Sequence, residues 1–237
     1  MHTSLQPALK ASHQAGLATP EIFHDSPLQI HRPDALEQFS VSITVRRDAE
    51  IYGQGDAARF CYQVVSGCVR TVKLMEDGRR QVNDFLFPGD WFGVDALDEH
   101  EFSAEAVDEV VLKRFPRRAI DVLAERDARV ARWLLDLTAG QLRAARERLV
   151  TLGRKTASER IAGFLLEMTR RMPADEAGAT ALPMSRTDIA DHLGLTIETV
   201  CRALAQFRRD GAIRVARTGF AVQSRPALCA LASATRH

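Results

Sequence analysis

The chain contains no apolar run of about eighteen residues, the least a membrane-crossing helix needs, so a membrane is excluded as its partner. Its first residues lack the apolar stretch of an export signal, and the expected location is the cytoplasm. Cysteine is scarce. Four residues, at 61, 68, 201 and 229, form no close pair motif and are expected to remain thiols in a reducing compartment. There is no P-loop, dinucleotide fingerprint or zinc-hydrolase motif, and the scattered cysteines and histidines form no catalytic set. These absences argue against an enzyme. What remains, 237 residues with 46% hydrophobic and 27% charged content, is enough for two modest globular domains.

The net charge of +1 hides an asymmetry. Residues 154–237 carry 13 Lys and Arg against 8 Asp and Glu, a balance of +5, and the remainder carries −4. A basic module joined to an acidic one is what a chain needs if only its C-terminal part meets a polyanion. The same imbalance also arises as a chance fluctuation of surface charge, so motifs must decide.

Four regions follow one another. Residues 1–35, rich in His, Pro, Ser, Ala and Gln, have the composition of a flexible tail. Over 36–126 the pattern is that of strands: Val41, Ile43 and Val45 alternate with polar residues, and glycines at 53, 55, 67, 78, 89 and 93 punctuate the segment. Asp77-Gly78, between Val72–Leu74 and Val82–Phe87, predicts a hairpin. Many short strands with close turns predict an antiparallel sandwich or barrel. Residues 127–153 then form one long helix without proline. In it Leu135, Leu142 and Leu149 repeat every seven residues, and Thr138, Ala145 and Leu152 stand three after each. That narrow seam predicts a dimer helix, with small Ala145 at its centre; the alternative is a helix packed on its own β-domain.

Residues 154–237 read as helices followed by strands. Ile161, Phe164, Leu165 and Met168 form one helical face, and 173–180 reads as a polar loop. Ser185 and Asp188 make a Ser-x-x-Asp capping box opening a helix that Gly194 ends, and Thr196 caps a second helix running to about Arg209. Helix, glycine turn, helix is the DNA-binding helix-turn-helix pattern. Ile213 and Val215, a Thr218-Gly219 turn, then Phe220 and Val222 predict a small β-wing. In the second helix Ile197, Val200, Leu204 and Phe207 form the expected buried stripe. Glu198, Cys201, Arg202, Ala205 and Arg209 are left outward. Arg pairs bidentately with guanine and Glu accepts from cytosine in the major groove, so Glu198 and Arg202 are candidate base readers with Cys201 between them. As an i,i+4 pair they also suit a plain surface ion pair. Ser185, Arg186, Thr196 and Thr199, at or near helix starts, are candidate phosphate contacts.

The segment LPMSRTDIADHLGLTIETVCRAL, from Leu182, resembles the helix-turn-helix of the Crp/Fnr family, and most of all its FixK subgroup. The stretches EIYGQGD, CYQVVSGCVR, DGRRQV and FPGDWFG resemble that subgroup's β-domain, so the likeness covers about 40 to 225. One departure stands inside the reader motif, where Cys201 replaces the usual Ser. The resemblance implies an α+β chain: an N-terminal antiparallel β-roll, a long dimerisation helix and a C-terminal winged helix-turn-helix. It further implies a homodimer on a TTGAT-type palindrome in double-stranded DNA, activation through RNA polymerase, and control of low-oxygen or nitrogen-fixation metabolism. The hairpin tip at Glu76 and Asp77 resembles the family's polymerase-contact loop; a solvated turn is the plainer reading.

Cyclic-nucleotide-binding relatives hold the ribose and phosphate with a Gly-Glu pair and an Arg before Ser or Thr. Here Gly93-Val94-Asp95 and Phe102-Ser103 stand at those places, leaving a buried phosphate without its charge partner, so no nucleotide is expected. An iron–sulfur cluster of the oxygen-sensing kind needs cysteines near the N-terminus, and none precedes Cys61. Cys61 and Cys68 are expected to be buried and inert, and His100 to be a solvated loop residue. No cofactor is called for. The alternative is an effector-gated sensor, using haem or a small molecule on the same fold. Cys201, on the reading face near a helix start, is a candidate redox position, against a role as a small residue packing on a thymine methyl.

Overall fold

The computed structural model describes residues 33–95 and 98–233. The tail expected over 1–35 therefore falls, up to 32, outside the described residues; at its end Asp34 and Ala35 instead belong to an ordered 3₁₀ turn, Asp34–Phe39, anchored by fully buried Leu36.

Eight strands make two four-stranded antiparallel sheets. They are β1 (Val41–Val45), β2 (Glu50–Tyr52), β3 (Phe60–Ser66), β4 (Val69–Leu74), β5 (Arg80–Leu86), β6 (Trp91–Phe92), β7 (Ser103–Ala106) and β8 (Val110–Pro116). One sheet runs β1-β8-β3-β6 and the other β2-β7-β4-β5. Alternation puts Val64, Val69, Leu86, Ala104, Ala106, Val110 and Leu112 into one core with Tyr52, Tyr62 and Phe92. The expected β4–β5 hairpin is present, turning at Gly78 with φ +81°, which a residue bearing a Cβ rarely adopts. The roll, the long helix and the winged reader bear out the α+β architecture read from the sequence.

Helix α1 (Arg117–Arg126) leads into α2 (Ala128–Arg154), capped by the Asp127 side chain on the Arg129 amide. With 27 residues α2 is about 40 Å long. Its first turns bury Val130 and Trp133 against Leu36, Trp91 and Phe115. Farther along, Leu135, Leu142 and Leu149 are 62%, 52% and 72% exposed within the single chain, and Thr138 and Ala145 are exposed beside them. The seam is thus not packed on the β-domain.

The C-terminal unit comprises α3 (Ala157–Arg171), β9 (Ala179–Ala181), α4 (Arg186–Leu193), α5 (Ile197–Arg209), β10 (Ile213–Val215), β11 (Gly219–Val222) and α6 (Arg225–Ser233). Thr156 and Glu159 form a full capping box at α3. The segment 173–180, read as a polar loop, ends instead in strand β9, which completes a β10-β11-β9 sheet and buries Thr180. Its pairing depends on Gly219: a Cβ there would lie 2.0 Å from the Thr180 carbonyl oxygen. Short polar-flanked segments carry no periodicity, so this strand is set by its partner. Gly219→Ala is expected to push β9 from β11, costing about 1–3 kcal/mol; thermal denaturation with a Gly178→Ala comparison, where only open space and a positive φ are met, checks it.

Candidate nucleic-acid interface

Helix α4 starts at Ser185, whose hydroxyl oxygen accepts from the Asp188 amide at 3.0 Å, while Asp188 Oδ2 accepts from the Ser185 amide at 3.0 Å and hydroxyl at 2.7 Å. It ends at Gly194 in the left-handed conformation, φ 62°. Thr196 then caps α5, accepting from the Thr199 amide, and the two hydroxyls meet at 2.9 Å. Such caps contribute about 1 kcal/mol each and fix the turn between the helices. Val200, Leu204 and Phe207 of α5 and Ile189, Ala190 and Leu193 of α4 pack on Ile161, Leu165 and Met168 of α3.

The outward face of α5 carries Glu198, Cys201 and Arg202, all exposed, with Ala205 half-buried and Arg209 exposed. Ile197 departs from expectation. It is 48% exposed, because it stands in the first turn, before the helix reaches the core that Val200 enters. Glu198 and Arg202 form an ion pair with each other, with side chains 69% and 74% exposed. A pair so open is worth little and opens readily to other partners. Arg186 is half-buried at the start of α4, Ser185 and Thr196 are exposed, and Thr199 is half-buried. The Ser185 proton is committed to Asp188, whereas the Thr196–Thr199 contact uses only one of two hydroxyl protons. Arg208, and Arg214 and Arg217 on the wing, are exposed and extend the basic surface; residue type alone had not marked them.

The structure also reveals what holds this unit in place. Asp188 Oδ1 accepts from Arg80 at 2.6 Å and from Arg70 at 3.2 Å, and Arg80 reaches Asp191 at 2.8 Å. One turn on, the His192 ring lies beside Phe85 and Phe164 with Nδ1 3.2 Å from the Val82 carbonyl oxygen. Arg171 of α3 pairs with Asp90 and covers the Phe87 ring. The sequence marked Asp188 only as a helix cap and Phe164 only as a core residue; Arg70, Arg80, Asp191, His192, Arg171 and Asp90 carried no signal of this joint. Burial works against the Asp188 charge, but the Ser185 bonds and the Arg70 and Arg80 guanidiniums outweigh it and hold the carboxyl below its usual pKa. Burial, helped by Arg148, lowers the His192 pKa against the opposing charges of Asp84 and Glu167.

A β-roll joined by a long helix with an unburied apolar seam to a winged helix-turn-helix defines a class of DNA-binding transcription regulator. Comparison with known proteins agrees. Residues 159–231 match the Crp-like helix-turn-helix domain and residues 42–127 the cyclic nucleotide-binding domain. The chain is 46% identical over 170 residues to the nitrogen fixation regulation protein FixK of Azorhizobium caulinodans, covering 70% of this chain and 68% of that one. With the protein of the same name from Rhizobium meliloti the identity is 40% over 210 residues, 88% and 92% of the two chains. The structure of FixK2 from Bradyrhizobium japonicum superposes with a TM-score of 0.79 at 44% identity, over 83% of this chain and 99% of that one. The chain belongs to the Crp/Fnr family of transcription regulators, and within it to the FixK group.

The β-domain has Gly93-Val94-Asp95 and Phe102-Ser103 in place of the Gly-Glu and Arg-Ser or Arg-Thr pairs of cyclic-nucleotide-binding relatives. A cavity of about 1160 Å³ between the roll, α2 and α3 is lined there by Asp95, His100, Glu101 and Phe102. Phe102 lies under the Lys73 ammonium, which donates to the Glu101 carbonyl at 2.8 Å, and the Ser103 hydroxyl accepts from the Gln54 amide at 2.9 Å. On the roll wall the cavity thus carries Asp95, Glu101 and Phe102, while guanidiniums such as Arg143 and Arg148 reach it from α2. His100, expected in solvent, is buried and stacked on Tyr52 at 3.6 Å, its pKa lowered by burial. Cys61 and Cys68 are buried in different cores, and burial pushes Cys61 up to about 11 and Cys68 higher still, which leaves both as thiols. Among the described residues no group of three or more His, Cys, Asp or Glu is placed to hold a metal, and no helix is long and apolar enough to cross a membrane.

The lowered His192 pKa sets a pH dependence. The unfolded chain takes up this proton near the ordinary value of 6.5 and the folded one does so only at lower pH, so stability falls as pH drops below about 6.5. The slope reaches at most about 1.4 kcal/mol per pH unit for one histidine. Urea midpoints at pH 7.5, 6.5 and 5.5 are expected to fall more steeply for the wild type than for His192→Asn; equal slopes would remove His192 from the account.

Proposed function

We propose that two copies of the chain, joined along α2, bind a two-fold symmetric TTGAT-type site in cytoplasmic double-stranded DNA and activate transcription there by recruiting RNA polymerase. The observation that carries this reading is the exposed Glu198–Cys201–Arg202 face on the second helix of a capped, winged helix-turn-helix, whose opposite face is buried in its own core. Each α5 lies in a major groove, the two about one helical turn apart, roughly 34 Å. Arg202 exchanges Glu198 for guanine O6 and N7, Glu198 turns to a cytosine amino group, and Cys201 packs between them. Arg186, Thr196 and Thr199 meet phosphates, while Ser185 chiefly orients α4 through its cap. The Cys201 sulfur is exposed when DNA is absent, so oxidation there would put a bulky polar group against the bases. At the hairpin tip Glu76 and Asp77 face a polymerase subunit, with exposed Leu74 and Met75 beside them. The nitrogen fixation regulators that the chain resembles point to nitrogen-fixation genes as targets.

A second reading, an effector-gated regulator, is favoured by the cavity between roll, α2 and α3. Binding of purified, cofactor-free protein to the palindrome at a stated salt concentration separates the two: the ungated regulator binds, the gated one does not.

Arg202→Ala is expected to cost about 1–3 kcal/mol and to relax preference at one base pair per half-site. Arg186→Ala is expected to weaken all sequences alike and to shallow the salt dependence by about one charge. Competition binding against single-base operator variants reads both; an unchanged preference in Arg202→Ala would mean that another face does the reading.

Leu142→Glu sets like charges against each other across the two-fold axis. Sedimentation at micromolar concentration should find the wild type dimeric and this variant monomeric, with operator affinity lost. A dimeric variant would move the interface away from the Leu135, Leu142, Ala145 and Leu149 seam.

A further inference from the structure

Only two extended residues, Lys155 and Thr156, connect α2 to the reader. A link so short keeps the reader near α2, but two free φ,ψ pairs leave its angle open. Since α2 lies on the dimer axis in the proposed assembly, that angle decides how far apart the two α5 helices stand. The covalent chain does not set it; side chains must.

Beside the apolar core that Val72, Val82, Phe85 and Phe87 share with Ile161, Phe164 and Leu165, and the Arg171–Asp90 pair, three sets of polar side chains meet this need. At the hinge, the Arg160 guanidinium donates to the carbonyls of Leu152 at 2.6 Å, Lys155 at 3.0 Å and Leu193 at 2.9 Å. It thereby joins the end of α2, the link and the end of α4. From α2, Arg148 reaches sideways to strand β5, bonding Asn83 at 2.8 Å and Asp84 at 3.0 Å. From β4 and β5, Arg70 and Arg80 bond Asp188 and Asp191 of α4. The path therefore runs from the dimer helix through the sheet to the helix-turn-helix, with a charged pair at each crossing. Asp188 is the most enclosed member, its side chain 3% exposed, and its two oxygens are divided between Ser185 of the reader and the arginines of the sheet. Arg70 is itself held by Glu105 at 2.7 Å, so it cannot follow α4 if the reader swings. Such a paired and nearly closed carboxylate tolerates one geometry, since any rotation of the reader leaves a buried charge without its donors.

We propose that Arg70 and Arg80 determine the half-site spacing this regulator accepts, acting through Asp188 and Asp191 as positioning residues that touch no DNA. The inference rests on the dimeric operator-binding reading above. Changing the spacing by one base pair shifts the two half-sites relative to each other by about 3.4 Å and rotates one against the other by about a tenth of a turn, which a clamped pair of readers does not follow. A loosened pair does.

The test measures binding of full-length protein to three palindromes with identical half-sites, one with the native spacing and two with it lengthened or shortened by one base pair. Wild type is expected to prefer the native spacing by about tenfold or more. Arg80→Ala and Asp191→Asn are both expected to reduce that ratio to about threefold or less, with half-site base preference unchanged. The two substitutions change the charge in opposite senses, so overall affinity moves in opposite directions while spacing tolerance widens in both. Arg79→Ala, removing the same charge from the same hairpin at a residue whose one ion-pair partner among the described residues is Asp77, should keep the wild-type ratio. Arg80→Lys, which retains the charge and one donor, should fall between. If Arg80→Ala and Asp191→Asn keep the wild-type ratio, the proposal fails while the operator reading stands. If wild type binds all three palindromes equally, the readers are not clamped and the proposal fails while the operator reading stands; if it binds none of them, the operator reading fails and the proposal with it.

Discussion

The Asp188 carboxylate is almost closed off from water, and it accepts from Ser185 with one oxygen and from Arg70 and Arg80 with the other. A charge in that position is costly unless every lone pair is met, so the arrangement ties three parts of the chain to a single geometry. Ser185 fixes the first turn of α4, and α4 fixes α5 through Gly194 and the packing of Leu193 on Val200 and Leu204. Arg70 and Arg80 fix the same helix to the sheet. What faces outward on α5 therefore follows from contacts made on the far side of the reader. His192 and the Arg171–Asp90 pair add apolar and charged support to the same joint.

Helix α2 illustrates the opposite situation. Its first turns are held by Trp133 against Trp91, and along one line of the helix Leu135, Leu142 and Leu149 face away from the protein. Leaving several large apolar side chains open along one helical line is unfavourable for a lone chain and suits association along that line. The β-domain completes the picture. It keeps the roll of the cyclic nucleotide-binding domain and a cavity in the same region, but Phe102 and the acidic Asp95 and Glu101 have changed its chemistry. The roll's function that the contacts do support is mechanical: its β4–β5 hairpin is the surface on which the reader sits.

Much of the architecture was legible because it is local. The Ser185–Asp188 box, the Gly194 turn, the Thr196 cap and the Asp77-Gly78 hairpin each depend on residues within four positions of one another, and each stands where the spacing predicted. The seven-residue leucine repeat depends equally on helical period alone. The outward face of α5 followed from the same period, save for Ile197, where period carries no information about where the supporting core ends. Strand β9 was missed because a three-residue strand has no pattern of its own; Gly219 across the sheet makes room for it.

The sequence by itself determined most of the elements, the reader, its candidate base-contacting face and the family. The tertiary structure alone decided what orients that reader. Arg70 and Asp188 are 118 positions apart, and Arg80 and Asp191 are 111. Arginines and aspartates at such separations look like any other surface charges until the chain closes. His100 was read as solvated for the same reason, since nothing near it in sequence announces the Tyr52 ring that covers it. Hydrophobic period and capping are short-range consequences of backbone geometry, whereas pairing between domains depends on which surfaces meet, and that is settled only when the cores on both sides have packed.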